Sequence, residues 1–244
     1  MPVAGGSHAS YTQFPPSGPH SDGAQREPSR IFNVLHAIYS PAIGVMRMTQ
    51  PQENVRVHYL DPGARDGVAN ALGAVLEREC PSLRPLVFLC IGTDRSTGDA
   101  LGPLVGQALL RRGVAQSLVF GTLDEPTHAG NLDEVVARME REANNAFVVA
   151  VDACLGRMEN VGTITVGAGA LCPGAGVNKE LPQVGGAFVT GTVNVGGFME
   201  YFVLQNTRLA LVMGMAEVIG DSLAALVGPW RGADEPREAA ATRG

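Results

Sequence analysis

The chain holds 244 residues with a formal net charge of −6, and 45% of its side chains are hydrophobic against 17% charged. That length can bury a core without a covalent staple. The acidic balance excludes a phosphate-tracking nucleic-acid binder or an anionic-membrane binder, since the longest basic cluster is Arg111-Arg112.

Residues 1–50 read as an extension. Five of the first 30 are proline, a composition that cannot bury enough apolar surface to offset its ordering entropy, so 1–30 is expected to be disordered. Ile31–Met48 reads either as a short docking segment or as sequence upstream of a true start at Met46 or Met48. It begins too far along the chain for a signal peptide, and no stretch reaches the ~18 uncharged apolar residues of a membrane span. Cys80, Cys90, Cys154 and Cys172 contain no CxxC pair and fit a reducing compartment, not a zinc site.

From 53 to 227 the pattern predicts one α/β domain. Val55–Leu60 alternates as a strand, and Gly67–Arg78 has helical spacing through Val68, Leu72, Val75 and Leu76. Leu86–Ile91 (LVFLCI) and Phe147–Val151 (FVVAV) are continuous apolar runs, the mark of strands covered on both faces. Leu101–Arg111 and Leu132–Ala143 read as helices, and Ser117–Phe120, Val161–Val166 and Ala187–Val195 as strands. One long helix is expected over Phe198–Val227, with Gln205, Asn206, Thr207 and Arg208 on its solvated face. The tail 231–244, charged and with Pro236, is expected to be disordered. Strands alternating with helices imply a mainly parallel sheet with helices on both faces.

The densest polar cluster follows the first buried strand, at Gly92–Asp99, where α/β folds place their ligands. It is not a phosphate loop: Thr97 stands where GxxxxGK[ST] needs its second glycine, and Asp99 follows Gly98 where lysine should be. No dinucleotide fingerprint follows a strand either. The loop offers carboxylates. Asp99 suits a helix N-cap, but Pro103, best at the first helical position, would move the cap to Gly102 and leave Asp99 free. Asp94 fits an Asx turn with Arg95 as its ion-pair partner. Asp152 ends the second buried strand, at the same sheet edge. Two carboxyls there would couple, one keeping a proton as acid and the other staying a base. The competing role for Asp152 is to cap a loop at Ala153–Gly156. Asp124, Glu125 and His128 follow a third strand to this edge, His128 as base, ligand or turn residue. Cys154 reads as a small core cysteine, with a Cys–His nucleophile partnered by His128 as the alternative. Ala168–Gly186 has the length of a lid or binding loop, and the glycines around Asn194 allow backbone to approach a ligand.

The strings CIGTDRSTGDALGPLVG (Cys90–Gly106), FGTLDEPTHAGNL (Phe120–Leu132), VDACLG (Val151–Gly156), PGAGVNKELPQVG (Pro173–Gly185) and TGTVNVGGFMEYFVLQNTRL (Thr190–Leu209) resemble the YyaC family of sporulation proteins in matching order over about Glu53–Val227. The resemblance implies a three-layer α/β/α sandwich with a mainly parallel sheet (peptidase/phosphorylase-like), similar to spore germination proteases and hydrogenase maturation endopeptidases. It implies a catalytic pair carried onto Asp99, in a string where Gly98 replaces a proline, and onto Asp152 in its strand-end D-A-C-L string. The metal-clamping histidine of the maturation endopeptidases has no counterpart after His128. The expected function is an aspartate-dependent hydrolase acting on a protein or peptide during spore formation, in the cytoplasm of a spore-forming bacterium. The rival class is a non-catalytic binding or regulatory protein using the same crevice. Gly92, Thr93, Asp94, Arg95, Thr97, Asp124, His128 and Asn194 are the expected binding residues. No cofactor, nucleic acid or membrane is expected, and a homo-oligomer is. The metal alternative would use Asp94, Asp99, Asp152 and His128.

Overall fold

A computed structural model describes residues 54–80, 84–173 and 181–230. The expectations for 1–50, for the tail 231–244 and for the middle of the Ala168–Gly186 loop with Lys179 and Glu180 lie outside the described residues.

The order of elements is β1 (Val55–His58), α1 (Ala64–Glu79), β2 (Leu86–Cys90), α2 (Leu101–Arg111), β3 (Val119–Phe120), α3 (Leu132–Glu142), β4 (Phe147–Gly156), β5 (Thr163–Ala168), β6 (Ala187–Val195), α4 (Glu200–Gln205) and α5 (Leu209–Trp230). The all-apolar run of β2 is buried at every residue because both sheet faces are covered. Leu86, Phe88 and Cys90 join the core built with α1, α2 and α5, while Val87 and Leu89 join a second core with Leu132, Val135, Val136 and Met139 of α3. The strand's twofold side-chain period thus feeds two helical layers at once.

The six strands lie in the order β1-β5-β6-β4-β2-β3. The sheet is mixed. Pairs β2–β3, β2–β4 and β4–β6 are parallel, and β5–β6 and β1–β5 are antiparallel. Only Arg157–Gly162, with a single 3-10 turn at Met158–Asn160, links β4 to β5. That is too short for the dozen or more residues a parallel crossover needs, so β5 runs back.

Two local expectations change. β4 does not stop at Val151. It runs on to Gly156, paired with β6 from Asp152↔Thr190 through Gly156↔Val195. The expected long helix is two helices. Asn206 Nδ2 donates to the Phe202 carbonyl at 2.8 Å and the Thr207 hydroxyl to the Val203 carbonyl at 2.9 Å. These side-chain bonds compete with the helix ladder and end α4 without any glycine or proline. Thr207 is buried at the break instead of lying on a solvated face.

By length and composition alone Leu209–Val227 could cross a membrane. Here it is a core helix, with Val212, Met215, Ile219 and Leu223 buried against the sheet layer. Its charged residues are paired. Glu217 meets Arg111 at 2.7 Å and Arg112 at 2.6 Å, and Asp221 meets Arg65 at 2.8 Å and also Arg112. Ser222 donates to the Arg65 and Val218 carbonyls.

Candidate active site

The site forms because β4 outlasts β2. Their register ends at Cys90↔Val151, closed by the Ile91 amide on the Val151 carbonyl at 2.7 Å. Beyond it the chain leaves β2 through Gly92, whose φ of 141° and close approach to the Asp99 carbonyl leave no room for a β-carbon. The Gly92 amide donates to the Thr127 carbonyl at 2.7 Å, and Ile91 bridges Thr127. This draws the segment after β3 alongside, with His128 at its end.

Asp99, His128 and Asp152 all line the resulting cleft of about 180 Å³. Asp152 is 7% exposed, and its Oδ1 accepts the Ala153 amide at 2.8 Å. Burial, reinforced by the Asp99 charge, raises its pKa well above the usual carboxylate range. Asp99 lies half-buried. Its pKa is raised by burial, while the Thr93 amide and the attraction of His128 pull it down. Both carboxyls are thus harder to ionise than a free aspartate, Asp152 the more so. α2 begins at Leu101 with Ala100 as its cap residue and no side-chain cap, so Asp99 is free of capping, although the cap is not Gly102. His128 Nδ1 accepts the Gly130 amide at 3.1 Å, which leaves Nε2 as the ring's other face.

Of the expected binding residues, Gly92 and Thr93 line this cleft with His128. Asp94, Arg95 and Asp124 are exposed and lie off it, and Thr97 is not on its wall. Asn194 lines a separate, open groove beside Phe198 and Phe202. Its Nδ2 donates to the Val203 carbonyl at 3.2 Å and to Thr207 Oγ1 at 3.1 Å, fastening β6 to α4. The metal alternative is not assembled: among the described residues no three His, Cys, Asp or Glu side chains gather to hold an ion, and Asp94 is exposed, off the cleft. Cys154 is not a core cysteine. It is half-buried on the cleft wall, near Thr192 Oγ1 at 3.5 Å, and burial raises its pKa, which keeps it a thiol and not a nucleophilic thiolate.

Sequence reasoning missed Leu155, Tyr201 and Leu204 on the cleft wall, and reached Ser96 only as part of the Gly92–Thr97 run expected to line the site. Tyr201 and Leu204 arrive with α4, held to the Asp99 loop by the Gly98 amide on the Leu204 carbonyl at 2.8 Å. Gly98 itself is needed there, since a β-carbon would stand 2.8 Å from Leu204 Cδ2 and 2.9 Å from Thr207 Oγ1.

The family described as a protein of unknown function (DUF1256) matches residues 56–228. A curated relative, the uncharacterized protein YyaC of Bacillus subtilis (strain 168), is 49% identical over 174 residues, covering 70% of this chain and 84% of that protein.

Proposed function

The chain belongs to the YyaC family of DUF1256 proteins, and we propose that it is an aspartate-dependent hydrolase that cuts an amide bond in a protein or peptide. The observation that carries this reading is the division of labour between two carboxyls in one cleft. Burial and the Asp99 charge raise the Asp152 pKa well above the usual carboxylate range, while burial raises that of Asp99 against the Thr93 amide and His128, which lower it. A carboxylic acid beside a carboxylate is the arrangement that handles both protons of an amide hydrolysis.

Asp99 takes a proton from a water whose oxygen bonds to the amide carbon, while Asp152 gives its proton to the carbonyl oxygen. The tetrahedral adduct then collapses. Its C–N bond breaks, the leaving nitrogen takes the proton held by Asp99, and a hydroxyl of the adduct returns a proton to Asp152. Products are an acid and an amine, and both aspartates regain their starting states. General acid–base catalysis of this kind contributes about 10²–10⁴-fold. We assign the activity to the cytoplasm of a sporulating bacterium: the relative comes from one, and the four cysteines are free thiols.

The test is incubation of the full chain and of Asp152→Asn with a sporulating-cell lysate, comparing new protein N-termini by mass spectrometry. Cleavages made by the wild type and absent with the variant are expected. Identical N-termini from both would overturn the reading.

A further inference from the structure

β4 overhangs β2 by a full segment, and that overhang is an open sheet edge inside the cleft. Backbone polarity alternates along β4. Phe147 and Val151 bond towards β2, through the Phe147 amide on Pro85 and the Val151 carbonyl to Ile91. Val148 and Gly156 bond the other way, to Gly186 and Gly196. By that alternation Ala153 and Leu155 point their main-chain groups to the β2 side; Asp152 Oδ1 already holds the Ala153 amide, and the pairing with β6 shifts register between Cys154 and Leu155, so the Ala153 carbonyl and the Leu155 groups are what the edge offers. Among the described residues no strand pairs with that side beyond Val151. Ala153, Cys154 and Leu155 line the cleft there.

A second observation comes from the wall of the same cleft. Ser96 is 8% exposed, lines the same cavity, and its Oγ is sealed from solvent without a hydrogen-bond partner among the described residues. A buried hydroxyl left unsatisfied is costly unless something supplies its partner. The remaining wall near it is apolar, with Leu181, Tyr201 and Leu204.

We infer that the cleft takes an extended peptide that continues the sheet where β2 leaves off. Its main chain pairs with the Ala153 carbonyl and the Leu155 main-chain groups, the Ser96 hydroxyl turns to bond the peptide, and alternate apolar side chains rest on Leu181, Tyr201 and Leu204. Strand addition of this kind draws affinity from main-chain hydrogen bonds and selectivity from every second side chain. The inference rests on the proposed peptide hydrolase and names how its substrate is held. It places the amide to be cut beside Asp152, at the start of the overhang.

The test uses an array of acetylated, amidated octapeptides with varied central residues, bound to full-length Asp152→Asn so that nothing is turned over. The tightest binder is then remade with single N-methyl groups along its backbone. Central apolar residues are expected, with N-methylation abolishing binding at alternate positions and tolerated between them. Ser96→Ala, built on the same background, should weaken that peptide about tenfold without lowering the melting temperature, because the hydroxyl it removes has no partner in the free protein. An N-methyl series without alternation, a preference for charged central residues, or no binding to any peptide overturns the inference, and unchanged affinity in Ser96→Ala removes Ser96 from it. Adding the best binder to the wild type separates the two proposals. A peptide bound with alternation but left uncut defeats the hydrolase alone, whereas cutting without alternation defeats the strand addition alone.

Discussion

The Asp99 charge raises the pKa of Asp152 within the cleft that both line, on top of a larger effect from burial. The two side chains come from different strand ends, and the β2–β4 register that stops at Cys90↔Val151 sets them beside each other. This coupling makes Asp152 expensive to ionise, with consequences for stability as well as chemistry.

A carboxyl whose folded pKa exceeds its unfolded value of ~3.9 binds its proton more tightly in the folded state. Wild-type stability therefore falls as pH climbs from that unfolded value through the folded pKa, and Asp152→Asn escapes the loss. The Asn oxygen can still accept the Ala153 amide. The variant should match the wild type near pH 4 and exceed it by about 0.5–2 kcal/mol at pH 7. Paired thermal melts from pH 4 to 8 check this. A wild-type advantage at neutral pH that vanishes in acid would mean a lowered pKa and a purely structural Asp152.

Hydrolysis of the best-cut peptide should rise with pH as Asp99 ionises and fall as Asp152 loses its proton, both limbs lying above the ordinary carboxylate range and belonging to the pair. His128 pulls the Asp99 pKa down, so His128→Gln should move the acidic limb to higher pH. A pH–rate profile of kcat/KM reads both limbs. An acidic limb that stays in place would detach His128 from the pair.

Gly92 holds a φ of 141° against the Asp99 carbonyl. Gly92→Ala should lower stability by about 1–3 kcal/mol, the range for a residue held in a sparsely populated backbone region. Urea unfolding gives the number. A neutral substitution would show that the Asp99 loop is free to shift.

Asn194 fastens β6 to α4 through the Val203 carbonyl and Thr207 Oγ1. Asn194→Ala leaves Thr207 Oγ1 and the Val203 carbonyl each short of a donor, at a cost of about 1–3 kcal/mol. Amide hydrogen exchange should quicken over Phe198–Asn206, with the pH–rate profile of the acid pair unmoved. A shifted profile would place Asn194 in the chemistry after all.

The apolar runs of β2 and β4 were legible because both faces of each strand are buried, so composition alone marks them. Asp99, Asp152 and His128 were legible as polar residues closing such runs or following one. What the sequence hid was tertiary in origin. Asp152-Ala-Cys-Leu-Gly reads as the end of a strand, yet β6 pairs with it and carries it onward. The break between α4 and α5 has no glycine or proline to announce it, only side chains that turn back on carbonyls one turn earlier. Tyr201 and Leu204 follow Asp99 by about a hundred residues and reach the cleft through one backbone bond to Gly98. Ser96 sits among polar loop residues, and nothing in its spacing sets it apart from Asp94 or Thr97.

The sheet is not filled in the order in which it is synthesised. β6 lies between β5 and β4, both of which precede it in the chain, and α5 follows it to cover one face. A nascent chain that has reached Ala168 thus holds two strands with a gap between them and apolar surface on each side of the gap. Pairings of high sequence separation form slowly, and such surface is open to aggregation while it waits. Folding of this domain is therefore gated by the arrival of residues 187–227, and fragments ending before Ala187 should be captured by chaperones instead of reaching a native core.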